Sequence, residues 1–208
     1  MSNTIAAAVM AMSTVVVPSA ERPPPGEVTI EVVTVNGSGC RAGTVSLSVA
    51  QDNSAFYALY SDYLAAVGVG TRPTDFRKNC QLVLQVNAPA DFTFAIHQVD
   101  HTGFAHLEIG ATGTERSNHY FQGMTTPGYW THTFKGPLND DWLASDRSDL
   151  PVEPPYRPCH EKRYLYVNTE LRVSAGTSDP KTTTSYMAMD SIDNFFGTVH
   201  HFAWKRCK

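Results

Sequence analysis

Four cysteines, Cys40, Cys80, Cys159 and Cys207, do most to constrain what this chain can fold into. Cys80 stands at the mouth of Arg77-Lys78-Asn79-Cys80-Gln81-Leu82-Val83-Leu84-Gln85-Val86. Leu82, Leu84 and Val86 share one face of that stretch and Gln81 and Gln85 the other, the period-two pattern of a half-buried strand. Upstream, Asn36-Gly37-Ser38-Gly39-Cys40 closes one strand, and Thr44 to Val49 opens the next. The even count, with neither a zinc-type spacing nor a Cys-x-x-Cys pair, points to disulfides and an oxidising compartment. Cys40 with Cys80 and Cys159 with Cys207 is the expected pairing, because each pair brackets one half of the chain. Loops of about 40 and 50 residues would each add roughly 3–4 kcal/mol by restricting the unfolded chain.

Strand signals recur along the chain. Val28, Ile30 and Val32 alternate with Thr29 and Glu31, and Val45, Leu47 and Val49 alternate with Ser46 and Ser48. Leu165, Val167, Leu171 and Val173 point one way, and Tyr164, Tyr166, Glu170 and Arg172 the other. Tyr120-Phe121, Tyr129 to Phe134, Thr182 to Asp190 and Thr198 to Trp204 read as further strands. Tyr63 to Val67 is expected as a brief helical turn, and Gly136 to Pro158 as a long polar loop carrying Trp142. Asp91 to Ile109 reads as a hairpin turning at His101-Thr102. That register puts Phe94 opposite Ile109 and Ile96 opposite Leu107, and so sets His97 across from His106 on the other face. The expected fold is an all-β, single-domain, antiparallel β-sandwich, jelly-roll-like, with two disulfides.

Residues 1–20 carry an Ala/Val-rich segment ending in Pro18-Ser19-Ala20, which reads as a signal peptide. Residues 21–26 are then a Pro-rich linker, and residues 27–208 the secreted domain. Beyond the N-terminus no apolar run approaches the ~20 residues needed to span a membrane. A net charge of -4 argues against nucleic acid as a partner. Asn36-Gly37-Ser38 is a glycosylation sequon in a eukaryotic host.

An ordered set of motifs carries a resemblance: Val28-Thr29-Ile30, Thr34 to Cys40, Arg77-Lys78-Asn79-Cys80-Gln81-Leu82, Gly110-Ala111-Thr112-Gly113-Thr114, Tyr120-Phe121-Gln122-Gly123, Asn168 to Arg172, and Phe202-Ala203-Trp204 with Cys207. Over about residues 26–208 the chain resembles the secreted family called domain of unknown function 4360. The resemblance implies export, two disulfides and a compact β-rich domain, and it implies no activity. Arg41, His101-Thr102 and His160 depart from the family pattern.

Three chemistries are open to the residues. His97 and His106, with Glu108, are candidate ligands for a transition metal. Asp140-Asp141, Glu170, Asp190 and Asp193 are the carboxylates available for hydrolysis, although Glu170 has a simpler use as the ion-pair partner of Arg172. Tyr129, Trp130, Trp142, Tyr156, Tyr164 and Tyr166 are candidates for stacking on sugar rings, with Tyr164, Tyr166 and Trp142 the chosen contacts. The reading that follows is a secreted, extracellular, non-enzymatic binding or surface-interaction protein that needs no cofactor. Its expected partner is a carbohydrate or another protein. A secreted carbohydrate-active or other hydrolytic enzyme is the alternative, and a metal-binding protein the third.

Overall fold

A computed structural model describes residues 21–147, 153–189 and 197–208. The signal-peptide reading, and the carboxylates Asp190 and Asp193, lie outside those residues. The described strands are β1 (Thr29–Asn36), β2 (Val45–Val49), β3 (Ala55–Tyr60), β4 (Leu64–Gly68), β5 (Arg77–Asn87) and β6 (Phe92–Leu107), followed by β7 (Thr112–Phe121), β8 (Trp130–Lys135), β9 (Leu138–Arg147), β10 (Leu165–Ser174), β11 (Thr184–Ala188) and β12 (Thr198–Arg206). No helix occurs among the described residues.

The strands form two antiparallel sheets; alternation holds along β2 and β10, while in β1 a bulge at Val33 interrupts it and leaves Val32 and Val33 exposed. The smaller runs β1-β5-β10-β7-β8, and the larger β2-β3-β12-β6-β11-β4 with β9 added on β6. Their inner faces close over one apolar core. Leu82, Leu84, Leu165, Val167 and Leu171 come from the smaller sheet, and Phe56, Phe94, Ile96, Leu107, Phe202 and Trp204 from the larger. The fold is a β-sandwich, and both disulfides pair in sequence order: Cys40 with Cys80 and Cys159 with Cys207, Cα atoms 5.3 and 5.7 Å apart. Cys40 follows β1 and Cys80 lies in β5, so the first bond staples two strands already paired at Asn36 and Gln81. Ahead of β1, Arg22 pairs with Asp52, and the Asn53 amide donates to the carbonyls of Pro23 and Pro24 at 3.0 and 2.8 Å.

Three local expectations are corrected. Leu64–Gly68 is a strand rather than a helical turn, because its backbone pairs with all of β11, and tertiary pairing overrides the helical preference of Leu-Ala-Ala. The presumed loop after Gly136 contains β9, which pairs with β6 along its whole length. The presumed hairpin at residues 91–109 is one continuous strand, β6. A bulge resolves the apolar pattern that had suggested a turn. His201 pairs with Gln98 and Phe202 with Ile96, which leaves His97 as the extra residue. Even-numbered side chains (Phe92, Phe94, Ile96) face the core before His97, and odd-numbered ones (Val99, His101, Ala105, Leu107) after it.

Candidate functional site

The single strand separates the proposed histidine pair. His97 and His106 stand nine positions apart along β6, about 30 Å at ~3.3 Å per residue, so they share no ion. His106 bonds Asn139 Oδ1 at 2.8 Å, approaches Glu108 Oε1 at 3.4 Å and stacks on Tyr186, while His97 neighbours His201. Trp142 is not a surface contact either. It is 3% exposed and packs against Phe134, with its indole N–H donated to the Ala188 carbonyl at 3.2 Å.

Tyr166 does stand on the outer face of the smaller sheet. It stacks on Tyr120 of the adjacent strand, ring centroids 5.1 Å apart and planes within 2°. Tyr164, half-buried just before β10, accepts the Gln122 N–H at its carbonyl. One step from the tyrosine pair runs a line of amides. Gln81 Nε2 donates to Asn168 Oδ1 at 2.8 Å, Asn168 Nδ2 donates to Asn118 Oδ1 at 2.9 Å, and Asn118 Nδ2 reaches the Pro127 carbonyl. One step further along the same strands, Glu170 gathers Arg77, Arg116 and Arg172. Burial works against the Glu170 carboxylate, but the hydrogen bonds from Arg172 and Arg77 outweigh it and hold its pKa below the usual range. Arg116 also lies over the exposed ring of Tyr129, 4.6 Å from its centre.

The inner face of the same strands carries a second polar group, between the sheets. Alternation turns Glu115 and Ser117 of β7 and His132 of β8 inward, where they meet His101 of β6 and Asp146 of β9. His101 Nε2 lies 3.0 Å from Asp146 Oδ2, which also accepts a short hydrogen bond from the Ser117 hydroxyl. His132 Nε2 lies 2.6 Å from Asp146 Oδ1, and His101 Nδ1 is 3.7 Å from Glu115 Oε1. His101 and Glu115 are fully buried and Asp146 nearly so, while His132 keeps about a third of its side chain exposed.

Burial pushes the Glu115 carboxyl up to about 7, against the pull of the His101 imidazole. For Asp146 burial is outweighed by the bonds from His101, Ser117 and His132, which hold it below the usual carboxylate range. Burial also disfavours the His101 cation, yet the charge of Glu115 and the bond and charge of Asp146 raise its pKa. His101, Glu115 and Asp146 each offer one ligand atom, all within 4.8 Å of one another.

Sequence reasoning passed over this group because charged side chains suggest solvent. A signal was nonetheless present. His132 shares its strand parity with Trp130 and Phe134, and Asp146 shares its parity with Trp142 and Ala144.

A disulfide-stapled β-sandwich with one polar face outside and one polar group within is the class these features define. The chain belongs to the family described as Domain of unknown function (DUF4360), whose model matches residues 26–207. A protein of the fungus Arthroderma benhamiae, named an uncharacterized secreted protein, is 32% identical over 185 residues, 89% of this chain and 74% of that protein. The two disulfides are consistent with an extracellular location. Among solved structures, TmCBM61 bound to beta-1,4-galactotriose matches with a TM-score of 0.28 at 12% identity, covering 90% of this chain and 98% of that one. The enzymatically active domain of bacteriophage CBA120 tailspike protein 4 matches at 0.27 and 9% identity, over 88% and 20%. At such scores the likeness carries nothing over to this chain.

Proposed function

We propose that this is a secreted, non-enzymatic binding protein, and that its ligand is a carbohydrate chain lying across the outer face of the smaller sheet. The observation that supports this reading is the amide pair Gln81–Asn168, anchored on the buried Asn118, running beside the stacked Tyr120 and Tyr166. Amides offer both a donor and an acceptor, as sugar hydroxyls require, and their mutual bonds fix their orientation before any ligand arrives. Flat tyrosine rings suit the apolar face of a pyranose. All five side chains stand on paired strands of one sheet, so little ordering is left for binding to impose.

Glycoside hydrolysis on this face would need a carboxylic acid able to give up a proton near neutral pH. Glu170 is held ionised by its arginines and is unsuited to that role.

The test is a screen of soluble oligosaccharides and insoluble polysaccharides against the protein. At least one glycan class should bind, and Tyr166→Ala should weaken it about tenfold, as loss of a stacked ring implies. Gln81→Ala should weaken it as well. A blank screen alongside capture of a protein partner would overturn the carbohydrate reading.

A further inference from the structure

We infer that His101 and Glu115 bind one divalent transition ion of the zinc class, with Asp146 orienting His101, and His132 beyond it on the solvent side. The inference stands on the inner group alone and is independent of the carbohydrate reading.

Unmet bonding capacity is the first argument. Both carboxylate oxygens of Glu115, and Nδ1 of His101, are buried and have no hydrogen-bond partner among the described residues. Buried polar atoms left without a partner are costly to a fold, and more so when charged. Three such atoms on two neighbouring side chains form one buried cluster. The nearest pair, His101 Nδ1 and Glu115 Oε1, is 3.7 Å apart, beyond hydrogen-bond reach and within the span of two ligands on one ion.

The second argument is orientation. An imidazole that binds a metal commonly donates its other ring N–H to a carboxylate, which fixes both tautomer and ring direction. His101 has that arrangement. Its Nε2 lies 3.0 Å from Asp146 Oδ2, and Asp146 is in turn held by the Ser117 hydroxyl. The tautomer with the proton on Nε2 leaves the Nδ1 lone pair free, with Glu115 Oε1 3.7 Å from it. Asp146 is thus the orienting carboxylate, on the Nε2 side of the ring, and its other oxygen, Oδ1, lies 2.6 Å from His132 Nε2.

Donor chemistry selects the ion. Imidazole nitrogen with a carboxylate suits zinc and its neighbours, whereas calcium and magnesium favour sites built wholly from oxygen. Ligands about 2.1 Å from a shared ion are at most about 4.2 Å apart. In a tetrahedral shell they are about 3.4 Å apart, so His101 Nδ1 and Glu115 Oε1, at 3.7 Å, have only slightly to close. The four side chains come from four strands held in ladders on both sheets: His101 and Asp146 on β6 and β9, Glu115 and His132 on β7 and β8. His132, about a third exposed, is the member of the group that reaches solvent.

The experiment titrates chelator-treated protein with zinc chloride by calorimetry, with calcium chloride as control, and follows the melting temperature. One zinc per chain should bind and raise the melting temperature, and calcium should do neither. Glu115→Gln and His132→Ala should each weaken zinc at least tenfold, while His106→Ala on the outer surface should leave it unchanged. Because Glu115 is buried, His132→Ala, which alters a partly exposed side chain, decides if Glu115→Gln fails to fold. Absence of zinc uptake by the native protein overturns the inference. So does native-like affinity in His132→Ala, or loss of binding in His106→Ala.

Discussion

Trp142 on β9 donates its indole N–H across β6 to the Ala188 carbonyl on β11, at 3.2 Å, and the residue it crosses is Gly103. A Cβ at position 103 would overlap the Ala188 carbonyl oxygen and come within 2.7 Å of the Trp142 ring. Gly103 is therefore present for close approach and not for turning, and its backbone is not in the left-handed region. Gly103→Ala should destabilise the fold by about 1–3 kcal/mol through overpacking. Urea denaturation should show a lower midpoint with an unchanged slope, and an unchanged midpoint would contradict the packing account.

Acid should destabilise the protein through two buried histidines. His200 stacks on Phe56, centroids 4.3 Å apart, and bonds Thr198 Oγ1. Burial first, and then the neighbouring His101, His119 and His201, push its pKa well below the ordinary value. Burial likewise pulls His119 down to about 4, against the Ile96 carbonyl and Asp146. Each folded-state pKa lies below the unfolded one, so the unfolded chain takes up the protons first. The stability is fully present above pH ~6.5 and falls as pH drops toward the folded values, by up to about 1.4 kcal/mol per pH unit for each histidine. Glu115 and His101, whose pKa values are raised, act in the opposite sense over this range. The test is therefore comparative: between pH 7 and 5 the native protein should lose more melting temperature, or gain less, than His200→Gln. An equal difference in that variant would remove His200 from the account.

Each disulfide should contribute about 4 kcal/mol, given sequence separations of 40 and 48 residues. Replacing Cys40 and Cys80 with serine should lower the denaturation midpoint accordingly. Non-reducing peptide mapping should recover the Cys40–Cys80 and Cys159–Cys207 peptides. A Cys40–Cys159 peptide would contradict the topology.

Arg157 is a buried cation that forms no ion pair among the described residues. Its guanidinium lies 5.1 Å from the centre of Phe94 and donates to the Phe92 carbonyl at 3.3 Å. Burial lowers its pKa. Arg157→Met keeps the stem and removes the charge, so stability should stay level or rise by up to about 2 kcal/mol. A marked loss in urea denaturation would show that the guanidinium's bonds and its contact with Phe94 outweigh its desolvation.

What the sequence revealed follows from which faces are wet. β10 was legible residue by residue, because Leu165, Val167, Leu171 and Val173 face the core while Tyr166 and Arg172 face outward. β9 was hidden because the usual signs are reversed: Asp146 is buried and Leu143 is 64% exposed. The inner polar group was missed for the same reason. His101 beside Thr102 and Gly103 resembles a turn until Asp146 and Glu115, distant in sequence, arrive to receive it. Tyr166 stood where its alternation placed it. Trp142 did not, because its strand went unseen.

The bulge at His97 gives β6 something like a reading frame. Substitutions within it act one side chain at a time, but losing or gaining one residue between positions 97 and 107 would turn every later side chain over. His101 would leave the interior together with Val99, Ala105 and Leu107, and Asp100 and His106 would enter in their place. Natural variation in this strand is therefore expected to change letters, outside close-packed positions such as Gly103, far more readily than length, with the bulge itself inherited as a fixed offset between the two halves.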